Sequence, residues 1–208
     1  NGSPIELNNS TITNNSADGA GGGLYVTATQ GASVLNSVIS NNQTFTEGGG
    51  IDCDASTMSI LKSEISGNVG GGNGGGGGIF ACCGSNLTMD RVTVSGNTTN
   101  TNIADGIYLK GPEEINFTLS NSSVSGNGTK NISFNNVMDQ IHTLTIDNSN
   151  IEGGQDSIDV NGHTLIWGSG NIDVDPMFVD SANGNYHLLA SSQLINGGHP
   201  DSLDSDGT

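Results

Sequence analysis

Asn9-Ser10-Thr11-Ile12-Thr13-Asn14-Asn15 returns down the chain as Asn36-Ser37-Val38-Ile39-Ser40-Asn41-Asn42. It comes back as Lys62-Ser63-Glu64-Ile65-Ser66-Gly67-Asn68, Arg91-Val92-Thr93-Val94-Ser95-Gly96-Asn97 and Asn121-Ser122-Ser123-Val124-Ser125-Gly126-Asn127. A degraded copy, Asn148-Ser149-Asn150-Ile151-Glu152-Gly153-Gly154, closes the series. The aliphatic anchors Ile12, Ile39, Ile65, Val94, Val124 and Ile151 are separated by 27, 26, 29, 30 and 27 residues. A period in that range is the signature of a solenoid, in which each repeat contacts only its neighbours.

A second phrase keeps step with the first. Gly21-Gly22-Gly23-Leu24-Tyr25-Val26 recurs as Gly48-Gly49-Gly50-Ile51-Asp52-Cys53 and Gly76-Gly77-Gly78-Ile79-Phe80-Ala81, then as Ala104-Asp105-Gly106-Ile107-Tyr108-Leu109. After the glycines, apolar residues alternate with others, as in a strand with one buried face. A third alternating segment precedes each anchor, from Ile5/Leu7 through Met58/Ile60 to Leu144/Ile146. No window has an apolar stripe at helical spacing. The sequence therefore predicts an all-β chain, a right-handed parallel β-helix of about 6–7 coils of 26–30 residues with three strands each. The coils are assigned to residues 1–170 and a closing segment of the same domain to residues 171–208.

Stacking supplies the stability, because a lone coil cannot bury its inward side chains. Asn15, Asn42, Asn68, Asn97 and Asn127 fall at one bend. Asn tolerates left-handed backbone there, and its amide can bond the Asn one coil away, forming a ladder. The glycine triplets suit positive φ or close backbone approach. They do not read as a phosphate-binding loop, since neither Lys-Ser/Thr nor a helical pattern follows them.

The pattern resembles the Asn- and Gly-rich β-helix repeats of bacterial surface proteins, including the polymorphic outer-membrane protein repeats with their GGxI phrases. The tail carries a second likeness. Asn171-Ile172-Asp173-Val174-Asp175-Pro176-Met177-Phe178-Val179-Asp180 runs into Gly184-Asn185-Tyr186-His187-Leu188 and Ser191-Ser192-Gln193-Leu194-Ile195-Asn196-Gly197-Gly198. This is similar to the closing segment of pectate-lyase-like, "choice-of-anchor" β-helix proteins. The resemblance implies a β-helix at a cell surface. It implies no single activity, because the fold hosts lyases, hydrolases, epimerases, adhesins and passive stalks.

Composition narrows the partners. Four basic residues against 21 acidic ones give a net charge of −17, which argues against nucleic acid and anionic membranes. No apolar run reaches membrane-spanning length. Scarce Lys and Arg and an Asn/Ser/Thr/Gly-rich surface suit an extracellular, secreted or surface-attached protein. Cys53, Cys82 and Cys83 are odd in number, and a Cys53–Cys83 disulfide between adjacent coils is one expectation; the other is that Cys53 is a small buried hydrophobe. A zinc site is not expected, since the cysteines lack CxxC spacing and no His is near them in sequence.

Three places could hold chemistry. Lys62 and Arg91 replace Asn in one column on adjacent coils, where two cations could hold a uronate carboxylate. Lys62 is then the candidate base for β-elimination and Arg91 the charge stabiliser, with Glu64 and Asp90 nearby. The plainer reading is a solvated basic pair neutralised by those acids. Asp52 and Asp54 flank Cys53 and should both point outward, without the Asp-Asp phrase of β-helix pectin hydrolases. Calcium ligands could come from Asp201, Asp204 and Asp206, and from Asp173, Asp175 and Asp180.

These observations favour a non-catalytic extracellular stalk, adhesin or filament-forming segment. An acidic-polysaccharide lyase and a calcium-dependent glycan-binding module are the alternatives. The chain starts inside a repeat, so its partner is expected to be another protein segment or subunit stacked end to end on the Ile5–Ile12 edge. Ile172, Phe178 and Leu188 are the expected complementary end face.

Overall fold

The computed structural model describes residues 4–72, 75–100, 103–135 and 140–199. They form a parallel β-solenoid whose strands stack coil on coil into four parallel sheets of 7, 6, 4 and 5 strands, and a separate antiparallel hairpin stands beside them. The first sheet runs from Glu6–Asn8 to Thr164–Trp167, the second from Thr11–Thr13 to Asn150–Ile151. The last sheet runs from Leu24–Thr27 to Ile132–Phe134.

The expected register holds. Ile12, Ile39, Ile65, Val94, Val124 and Ile151 pair in succession across the second sheet. Leu24, Ile51, Ile79, Ile107 and Ile132 do the same in the last. From Ile39 to Ile151 the first of these columns is at most 1% exposed, so each side chain is sealed between the coils on either side. One irregularity has a visible cause. Gln30 pairs with Thr57 but Ala32 with Met58, and Gly31, at φ 78°, is the extra residue. This bulge absorbs the difference between a 27-residue and a 26-residue step.

Two expectations need correcting. Each early coil has four strands, not three. The fourth, such as Ser16–Ala17 or Gln43–Thr44, is two residues long and follows the ladder Asn. It is too short to show a period in sequence. The coil count is also lower, about five turns, because later coils lose strands from the two smaller sheets.

Three ladders of polar groups line the corners. Asn42 Nδ2 donates to Asn68 Oδ1 (3.0 Å), Asn68 to Asn97 (3.0 Å) and Asn97 to Asn127 (2.9 Å). Each Oδ1 also accepts the preceding Asn backbone N–H, and each Nδ2 also donates to a carbonyl of the coil before, such as Ile39 O for Asn68. The amides are thus saturated, which is what burial requires of them. Left-handed backbone is not at these asparagines but one residue earlier, at Asn14, Asn41, Gly67, Gly96 and Gly126. A second ladder uses serine: the N–H groups of Ser10, Ser37 and Ser122 donate to Ser37, Ser63 and Ser149 Oγ. A third begins with Ser56 and Ser85 and ends in imidazoles, where Ile115 N–H donates to His142 Nδ1 and His142 N–H to His163 Nδ1.

Candidate functional site

Lys62 and Arg91 occupy a left-handed corner, at φ 48° and 56°, in column with Asn9, Asn36, Asn121 and Asn148. Asn suits that conformation better than either long cation does. Arg91 Nη2 lies 2.7 Å from Asp90 Oδ2, and Asn121 Nδ2 donates to Asp90 Oδ1 at 2.7 Å, so Asp90 is committed to its own corner. Glu64 Oε1 accepts a hydrogen bond from Ser66 Oγ at 2.6 Å. Lys62, Glu64 and Arg91 do line one open groove of about 680 Å³. Part of its lining comes from the C-terminal segment, as Tyr186 and His187, which no local sequence pattern places there. Burial, and then the charge of Glu64, push the Tyr186 phenol above its ordinary pKa.

The segment from Ile172 onward does not sit on the end of the solenoid. It joins the last coil through Asn150 and Ile172, then folds back along the outside of the second sheet. Its hairpin pairs Phe178–Asp180 with Asn185–Leu188, and the Phe178 and Tyr186 rings meet edge to face at 5.1 Å. Phe178, Tyr186 and Leu188 enclose a cavity of about 220 Å³ against Thr93 and Ser123. The hairpin tip, residues 181–184, reaches back as far as Val38 and Asn41. The chain then returns, so that His199 N–H donates to Asn121 Oδ1 at 2.7 Å, two coils from the C-terminal edge. Phe178 and Leu188 are therefore turned to the side of the molecule, which corrects their assignment to an end face. Val160, Leu165 and Trp167 hold that position instead, half-buried against the core.

Asp173 ties its segment to the preceding corner, Gly153 N–H donating to its Oδ1 (3.0 Å), and Asp175 serves a local turn, accepting from Met177 N–H (2.8 Å). Asp201, Asp204 and Asp206 lie outside the described residues. The one set of three metal-capable side chains that converges among the described residues is elsewhere, and mixed: Asp54, Cys82 and Cys83.

The expected Cys53–Cys83 disulfide is not formed, and all three thiols are free. Strand alternation explains this. Cys53 pairs with Ala81, both point inward, and Cys53 is 0% exposed. Cys82 pairs with Asp54 on the outward face, and Cys83 follows the strand at φ 61°. Cys82 Sγ donates to Asp54 Oδ1 (3.5 Å) and Cys83 Sγ to Cys82 Sγ (2.8 Å). Tyr25 Oη and Thr27 Oγ1 donate to Asp54 Oδ2 from the previous coil. Burial raises the Cys53 thiol to about 11 and pushes Cys82 and Cys83 up as well. Asp52 points outward as expected yet is only 3% exposed, and burial, with Glu47 and Asp54 adding to it, raises its carboxyl to about 7. A group so covered cannot reach a polysaccharide, so the Asp52/Asp54 pair does not form a glycosidase site.

No protein-family model matches the chain, and no curated protein or solved structure matches it. The parallel β-solenoid rests on its own strand register, and the likeness to pectate-lyase-like and outer-membrane repeats rests on the quoted motifs alone.

Proposed function

We propose that this chain is a non-catalytic β-helix segment of an extracellular surface protein, acting as a stalk, adhesin or filament-forming unit. The observation that supports it is the state of the two ends. Ile5, Leu7, Ile12 and Leu24 at one end, and Val160, Leu165 and Trp167 at the other, are half-buried members of a core that is elsewhere sealed. The strands Glu6–Asn8 and Thr164–Trp167 are the two edges of the same sheet. Such edges take further strands, whether from adjoining coils of a longer chain or from another copy, and a head-to-tail contact between copies that does not close gives a filament. The GGxI phrases and the scarcity of Lys and Arg support the extracellular setting.

The test is sedimentation over a wide concentration range with electron microscopy of the same samples. Concentration-dependent end-to-end assembly is expected, and Leu7→Lys and Leu165→Lys should each abolish it. A monomer at every concentration, without fibres, would defeat the filament-forming reading.

The groove gives a second reading its footing. Lys62, Glu64, Arg91 and Tyr186 face one another across a space open to an acidic glycan. The ion pair with Asp90 weakens Arg91 as a carboxylate clamp. Pectate, alginate and chondroitin should therefore yield no unsaturated product, with or without calcium. Turnover that disappears in Lys62→Ala would promote the lyase reading.

A further inference from the structure

We propose that Asp54, Cys82 and Cys83 bind a thiophilic divalent cation, with zinc the occupant their chemistry selects. Their ligand atoms all lie within 4.8 Å of one another. Register creates the site: the coil-to-coil pairing sets Cys82 beside Asp54, and the turn at Cys83 and Gly84, φ 61° and 79°, returns the second sulfur to the first. Two thiols and a carboxylate are donors for zinc, whereas calcium and magnesium take oxygen ligands in larger number. Sulfurs about 2.3 Å from a tetrahedral zinc stand about 3.8 Å apart. Cys83, half-exposed at its turn, would swing outward by about 1 Å to reach that spacing.

A second observation points the same way. Asp52 stands one step along the same outward face, and its buried Oδ1 has no hydrogen-bond partner among the described residues. Nor does any ion pair reach Asp52 or Asp54 among the described residues; Arg91 and Lys130 are engaged by Asp90 and Asp159. A carboxylate buried without donor or counter-ion is costly, and a neighbouring cation would offset that cost. On binding, two sulfur–metal bonds form, the two S–H protons pass to solvent, and the Asp54 carboxylate donates a lone pair. Nothing is oxidised or reduced. Solvent supplies the remaining coordination, since Asp54 and Cys83 are both partly exposed.

The experiment uses the protein reduced with a phosphine and stripped by a chelator. Zinc affinity is measured by competition with a chromophoric chelator, and cadmium is titrated as a probe whose thiolate-to-metal absorption counts bound sulfurs. One equivalent of metal, two thiolates per cadmium, and metal-dependent protection of Cys82 and Cys83 from a thiol reagent are expected, Cys53 being shielded in the folded protein throughout. Changes to groups behind a metal ligand cost about 10–100-fold in affinity, so Cys82→Ser and Cys83→Ser should each cost at least about 100-fold. Asp54→Asn should weaken binding, and Cys53→Ala should bind like the parent. Circular dichroism establishes that each variant keeps its sheet, and the thiolate count on the unaltered protein needs no variant. Absence of stoichiometric binding would overturn the proposal, as would binding that survives in the Cys82→Ser/Cys83→Ser double variant.

Discussion

Asn68 hands its side-chain amide to Asn97 Oδ1 at 3.0 Å while its own Oδ1 takes both the N–H and the amide of Asn42. Removing one rung therefore strands donors on one side and an acceptor on the other, all out of reach of water. Asn68→Ala should lower stability by at least about 3 kcal/mol, since each unsatisfied buried group costs about 1–3 kcal/mol. Asn15 is exposed and makes only the first rung, so Asn15→Ala should cost under about 1 kcal/mol. Urea titrations of both variants check the contrast; equal losses would remove the ladder's importance.

Gly50 is a place where backbone meets backbone. A Cβ there would stand 2.6 Å from Gly78 O and 2.9 Å from Asn68 Nδ2. Its φ is not in the left-handed region, so the constraint is space between coils and not conformation. Gly50→Ala should destabilise by more than the roughly 1 kcal/mol typical of a substitution. Gly19 has open space where a methyl group would go, with nothing within 4 Å, and should tolerate alanine. Thermal melts of the pair decide it.

Ile65 sits between Ile39 and Val94 and is 0% exposed. Ile65→Asp would bury a carboxylate with no partner, and loss of soluble folded protein is expected. Ile65→Val deletes one methylene and should cost about 0.5–1.5 kcal/mol. A folded Ile65→Asp protein with an unchanged melting point would contradict the packing described.

His142 makes stability depend on pH. It stacks on His163 at 4.4 Å, faces Phe134, and is 0% exposed. Burial, and then His163, lower its pKa from 6.5 to about 4, with Glu114 acting weakly in the opposite sense. The folded state thus holds the ring neutral in a range where the unfolded chain takes up a proton. The contribution is present above pH 6.5 and lost as pH falls from 6.5 to about 4. It amounts to at most about 3 kcal/mol. His142→Phe should flatten the stability profile in that window even if it lowers its height; an unchanged slope would rule out this residue as the source.

The fold was legible because its signal is periodic. The columns of Ile12 and Leu24 could be written down from spacing alone, since a parallel register has no freedom once the anchors are found. What escaped was aperiodic. The two-residue strands such as Ser16–Ala17 carry no alternation, and the hairpin at Phe178–Leu188 shows a closing motif without showing which surface it closes. At the cysteines the right register was available, Cys53 opposite Ala81. Alternation sends Cys82 outward and the turn keeps Cys83 beside it, out of reach of the inward-facing Cys53. The same alternation places Asp54 next to Cys82. Tyr186 and His187 reach the Lys62 groove by a long return path that no local pattern encodes.

The backward course of the C-terminal segment also fixes how the molecule meets force. His199 is held beside Asn121 on the flank, two coils from the last, so tension applied there enters through the flank. It would first peel the tail and the Phe178–Leu188 hairpin off the second sheet, a few contacts at a time. Only afterwards would the load reach the edge strand Thr164–Trp167 and begin to unwind coils. Under such a load the segment would lengthen before the ladder-linked coils are disturbed.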